Sequence, residues 1–146
     1  MQPLKFNHFL ILFFSLFCTC LAHPQPHETT IASISNLDDE EFRSDEGNYF
    51  KLIKTNIGCK LEAHFFVSFE NILYTYLFNR TGLISGAEKT FRYHYQKDYE
   101  GSLLHVTDVY QYSSARYDIN QPDVKKNFIR YKALFSKPSI EQCLSP

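Results

Sequence analysis

Between residues 65 and 77 the apolar side chains recur at Phe65, Phe69, Ile72/Leu73 and Tyr76/Leu77, the i, i+4, i+7/i+8, i+11/i+12 spacing of one helix face. Phe66 and Phe78 widen this stripe. Glu62 precedes it, where a helix dipole favours an acid, and Gly82 follows Asn79 as a stop signal. The spacing predicts an α-helix whose aromatic face is core. Before it, residues 49–56 alternate loosely and read as an edge strand leading to Gly58 and Cys59. After it the period changes to two. Phe91, Tyr93 and Tyr95 alternate with Arg92 and His94, residues 103–110 are rich in β-formers, and residues 116–119 alternate again. Asn120-Gln121-Pro122-Asp123 reads as a turn, and in the last run Ile129, Tyr131, Ala133 and Phe135 oppose Arg130 and Lys132. The expected fold is α+β: one α-helix packed on a four- to five-stranded antiparallel sheet. With the helix on the apolar face, the other face would gather Arg92, His94, Arg116, Asp118, Arg130 and Lys132.

The N-terminus has a different pattern. Residues 9–17 (FLILFFSLF) are apolar except for Ser15, follow Lys5, and lead to Cys20 and Ala22 at the −3 and −1 positions of a cut after Ala22. A membrane-spanning helix needs about 20 apolar residues, more than this run supplies before the polar His23, Gln25 and His27. Residues 1–22 therefore read as a secretory signal, giving a secreted chain with no membrane association after cleavage. The cut removes Cys18 and Cys20 and leaves Cys59 and Cys143, which in an oxidising compartment are expected to form one disulfide closing the domain. A loop of that length is worth roughly 4 kcal/mol in the chain-entropy picture. Export also makes Asn79-Arg80-Thr81, the single N-glycosylation sequon, usable at Asn79.

Charge divides the remaining chain. Residues 23–48 carry seven Asp/Glu against Arg43 alone, whereas residues 49–146 carry thirteen Lys/Arg against nine Asp/Glu. The first part reads as an acidic, disordered arm, and the second as the folded domain. A competing reading makes the arm a shield for the basic face or a removable propeptide. The composition is 44% hydrophobic and 16% aromatic without Trp, so a packed core is expected.

A strand face bearing one His and several Arg has the parts for metal-free phosphodiester chemistry, which needs an acid–base group and a cation for the developing phosphate charge. His94 could serve as acid or base, and Arg116 could clamp the phosphate with its planar fork. The bland alternative is a solvated strand face. No Gly-rich phosphate loop is present, and His64, His94 and His105 lack metal-ligand spacing, so neither cofactor nor metal is expected.

Three local matches bear on this chemistry. His94 precedes Tyr99-Glu100-Gly101 by a few residues. Val109-Tyr110 leads into Ser114-Ala115-Arg116-Tyr117-Asp118-Ile119-Asn120, and Cys143 closes the chain. In these features residues 49–146 resemble the small secreted fungal guanyl-specific ribonucleases and, more closely, their ribonuclease-like effector relatives. The resemblance implies His94 as a catalytic histidine and Arg116 as the phosphate-stabilising arginine. Glu100 or Gln111 is the nearest counterpart of the family's glutamate, and Gln cannot accept a proton. Where the family has a second histidine, this chain has Arg130, Tyr131 and Lys132. The implied function is a monomeric, non-catalytic secreted effector, delivered into a host cell, that binds host RNA or a host protein. Arg92, Arg116, Arg130 and Lys132 would neutralise phosphates, and Tyr93 would stack on bases. Two alternatives stand beside it: a working endoribonuclease using His94, Arg116 and Glu100, and a small secreted ligand-binding or inhibitor domain.

Overall fold

The computed structural model describes residues 27–145. The leader expected over residues 1–22 lies outside them. Six strands come first: β1 (Thr29–Ser35), β2 (Asn48–Thr55), β3 (Gly58–Val67), β4 (Glu70–Asn79), β5 (Gly82–Tyr95) and β6 (Val106–Arg116). Two helices follow, α1 (Pro122–Ala133) and α2 (Lys137–Leu144). The strands form one antiparallel sheet in sequence order, β1-β2-β3-β4-β5-β6. The α+β class and the Cys59–Cys143 disulfide are as expected, but among the described residues there are six strands and two α-helices, and the helices come last.

The helix predicted over residues 65–77 is the β3–β4 hairpin, turning at Ser68-Phe69. Antiparallel pairing places Phe65 opposite Ile72, Ala63 opposite Tyr74, Leu61 opposite Tyr76 and Cys59 opposite Phe78. Folding a sequence back on itself in this way brings residues seven, eleven and fifteen apart onto one face, a spacing that helical periodicity imitates. The turn contains neither Gly nor Pro, so no punctuation exposed it. The aromatic and β-branched content of the segment favours the strand.

The final run is the converse error. Residues 129–135, expected as a strand, belong mostly to α1. Pro122 occupies its first turn and Asp123 lies at its positive end. Val124, Phe128, Tyr131 and Phe135 then fall at i, i+4, i+7 and i+11, and all four are buried. The expected turn at residues 120–123 is the lead-in to this helix.

The acidic segment is also corrected, because it folds from Thr29 onward. β1 pairs along β2, which is therefore an inner strand and not an edge. In the β1–β2 connection Phe42 is 5% exposed and sits in the core. Buried Asn48 holds that connection: its Nδ2 donates to the carbonyls of Leu37 (3.0 Å) and Phe42 (2.8 Å), and its Oδ1 accepts from the Leu37 amide (2.8 Å). A buried amide satisfied in this way fixes the path of the chain rather than costing stability.

Both helices pack on one sheet face. The Tyr131 ring lies 6.0–6.1 Å from the rings of Phe42, Phe50, Phe65, Tyr74 and Tyr76. In α2, Cys143 is bonded to Cys59 of β3 with 5.8 Å between their Cα atoms, and both residues are fully buried. The bond thus pins the last helix to the middle of the sheet across 84 residues of chain. Replacing both cysteines by alanine should cost about 2–5 kcal/mol in chemical denaturation of the oxidised protein. An unchanged midpoint would show that the bond does not constrain the fold.

Candidate functional site

The helices cover the central strands and leave the far ends of β5 and β6 open on the same face. Successive residues of β5 alternate across the sheet. Glu88, Thr90 and Arg92, which pair with Tyr74, Ile72 and Glu70 of β4, lie on the helix side, and His94 continues that row. The partner strand offers Tyr110 opposite Arg92. A bulge at Tyr112 breaks the register between Thr90 and Phe91 and brings this second tyrosine over Arg92 as well. The Arg92 guanidinium lies 3.5 Å from the centre of the Tyr112 ring, while its Nε reaches Glu70 at 3.4 Å. His94 stacks on Tyr110 with centroids 4.4 Å apart and planes 25° apart. A third pair, His105 on Tyr99 at 4.0 Å and 28°, stands in the β5–β6 connection. Tyr99, Tyr110, Tyr112 and Leu104 are all exposed.

Beside this surface is an open recess of about 920 Å³, lined by Phe69, Tyr93, His94, Lys97, Asp98 and Glu100 among others. Its floor turns at Gly101, whose φ of +85° suits glycine and where a Cβ would press on the Phe69 ring at 3.2 Å. The recess brings together three of the residues singled out from the sequence: Tyr93, His94 and Glu100.

The others are elsewhere. Arg116 pairs with Ala87, an odd number of residues from His94 along β5, so the two point to opposite faces. Seven residues of strand separate their positions by about 23 Å. Arg130 and Lys132 lie on α1. Arg130 pairs with Glu41 at 2.5 Å, and Lys132 caps the Phe78 and Phe128 rings at 5.0 and 5.6 Å. Asp118 is in the β6–α1 connection, where its Oδ1 accepts from the Asn120 amide. The single polar face expected from the sequence is not formed. Its members divide among the open end of the helix side, the opposite face and α1, because the last run is a helix and because β5 alternates.

The face turned away from α1 and α2 holds a feature that sequence reasoning missed. His64, which adjoins the segment expected to be a helix, sits mid-strand in β3 against Tyr49 (4.9 Å) and stacked on Phe66 (4.4 Å). Its Nε2 is 2.5 Å from Asn71 Oδ1, and Asn71 Nδ2 donates in turn to the Tyr93 hydroxyl at 3.3 Å. An amide oxygen accepts only, so Nε2 carries the proton of the neutral ring. Nδ1 is buried with no hydrogen-bond partner among the described residues. Burial lowers the imidazole pKa, with Lys51 adding to the effect and Asn71 and Glu62 opposing it.

The tyrosines of β6 were missed for a different reason. Tyr110 and Tyr112 share the two-residue spacing of Arg92 and His94, but the long connection between β5 and β6 hides which residues face each other.

No protein-family model, curated protein or solved structure matches this chain. Among the described residues no helix is long and apolar enough to cross a membrane.

The His64 geometry predicts a pH response. A histidine with a lowered folded-state pKa is fully stabilising above its unfolded value, about 6.5, and loses that contribution as pH falls below it. The thermal midpoint should therefore drop between pH 7 and pH 5, and His64→Phe should lessen the drop. An identical pH dependence in parent and variant would contradict this assignment.

Proposed function

We propose that this chain is an exported, non-catalytic binding domain that grips a protein partner through the tyrosine surface at the open end of β5 and β6. The observation that carries the reading is the pair of stacks, Arg92 on Tyr112 and His94 on Tyr110, exposed side by side. Tyrosine and arginine are the residues most enriched at the energetic centres of protein interfaces. Rings already held by a stacking neighbour lose little further freedom on binding.

Local charge favours protein over RNA. Around the surface Arg92 and Lys97 are outnumbered by Glu70, Asp98, Glu100 and Asp108. A nucleic-acid site needs net positive charge to displace counterions. The cations expected to meet phosphates are spread over three surfaces, and two of them, Arg92 and Arg130, are ion-paired. Catalysis on one phosphate would need His94 and Arg116 together, and they point to opposite faces.

The test uses the secreted mature chain. A photo-crosslinking residue replacing Tyr112 should yield a protein adduct that is lost when Tyr110 and Arg92 are changed to alanine, while a probe at Lys125 on α1 yields none. Alanine at either anchor should weaken binding by about 2 kcal/mol, roughly thirtyfold. Single-stranded RNA should be neither bound with strong salt dependence nor cleaved. RNA cleavage abolished by His94→Ala, or RNA affinity falling steeply between about 50 and 200 mM salt, would overturn the reading.

A further inference from the structure

The sequon occupies the β4–β5 turn: Asn79 ends β4, Arg80 and Thr81 form the bend, and Gly82 begins β5. Asn79 Oδ1 accepts two hydrogen bonds from Thr81, one from its amide at 2.8 Å and one from its hydroxyl at 2.6 Å. This closes an Asx turn. Both donors engage the amide oxygen, so Nδ2 is left for chemistry. The turn is also clear on its outside. Arg80 folds back to donate to the Leu144 carbonyl at 3.3 Å, and a Cβ at Gly82 would meet no atom of the described residues within 4 Å. Beside it is a recess of about 470 Å³, whose lining includes Ile57, Asn79, Thr81 and Leu144. Ile57 is 63% exposed.

We propose that Asn79 carries an N-linked glycan whose first sugar lies over this recess, covering Ile57. In the transfer, Nδ2 forms a bond to C1 of a polyprenyl-diphosphate-linked oligosaccharide. The C1–oxygen bond to the diphosphate breaks, the diphosphate leaves with the bonding pair, and the Nδ2 proton passes to a base of the transferase. The two Thr81 donors hold the amide oxygen while this happens. In an antiparallel sheet the β4–β5 turn lies at the opposite end from the β3–β4 turn and the β5–β6 connection. The glycan is therefore about 30 Å, the ten-residue length of β4, from the end that carries Tyr110 and Tyr112. It covers the pole beside the buried Cys59–Cys143 bond and leaves the tyrosine surface free.

The inference rests on the export part of the proposed function, and the experiment separates the two. The chain is produced in a eukaryotic secretory host in two forms, one with its own residues 1–22 and one with residues 23–146 behind a host leader. Intact mass is read before and after peptide:N-glycosidase treatment. The expected result is one enzyme-sensitive glycan on both secreted forms, with Asn79 converted to Asp on release. Thr81→Ser, which keeps a hydroxyl, should retain the glycan, whereas Asn79→Gln and Thr81→Val should be secreted without it. A host-leader form that is secreted and disulfide-bonded but bears no glycan would overturn the proposal. Glycan on the host-leader form alone would uphold the site and refute export by the chain's own leader.

Discussion

The docking of Tyr131 against the sheet is the contact on which the rest of the fold depends. One ring on α1 meets aromatic rings from the β1–β2 connection, β2, β3 and β4, so a single side chain ties together elements spread from Phe42 to Tyr76. Burial pushes the Tyr131 hydroxyl up to about 12 and raises those of Tyr74 and Tyr76. Truncating a buried ring of this kind typically costs about 3–5 kcal/mol. The disulfide from Cys59 reinforces the arrangement by holding α2 beside α1 on the same face.

That one-sided packing decides where function can reside. The helices cover the middle of the sheet, while β5, with fourteen residues, and β6, with eleven, continue past them. What projects there finds partners on the neighbouring strands, Glu70 of β4 for Arg92 and the tyrosines of β6. Arginine and histidine on β5 do so by lying flat on the tyrosines of β6. The result is an ordered, solvent-facing aromatic surface at the end of the sheet remote from the sequon turn. The acidic segment contributes at other places, with Glu28 meeting Lys60 at 2.7 Å and Glu41 meeting Arg130. These ion pairs remove two cations from any anion-binding face and leave the tyrosine surface as the more distinctive feature.

Much of the class, but little of the order, was legible in the residues. Cys59 and Cys143 were read as a disulfide, and the alternation of Phe91, Tyr93 and Tyr95 with Arg92 and His94 marked β5. Two segments were exchanged. Phe65 to Leu77 looked helical because a two-residue hairpin without Gly or Pro places Ile72 and Tyr76, seven and eleven residues on, on the same face as Phe65. Ile129 to Phe135 looked extended because its two-residue alternation masked the Val124, Phe128, Tyr131, Phe135 stripe. The candidate site suffered from the same blindness to pairing. Whether Arg116 joins His94 depends on strand parity and on the bulge at Tyr112, neither of which is written in local composition. The Tyr110 and Tyr112 stacks likewise become visible only once β6 is set against β5.

The tyrosines include a buried set packed between α1 and the sheet and an exposed set on β6 and its approach. Mild nitration of the native, oxidised protein, with peptide mass spectrometry following each tyrosine over time, tests that division most directly. Tyr99, Tyr110 and Tyr112 should be modified first, while Tyr76 and Tyr131 stay unmodified until the protein unfolds. Labelling of Tyr131 or Tyr76 as fast as that of Tyr112 would contradict both the packing of α1 and the surface assigned to binding.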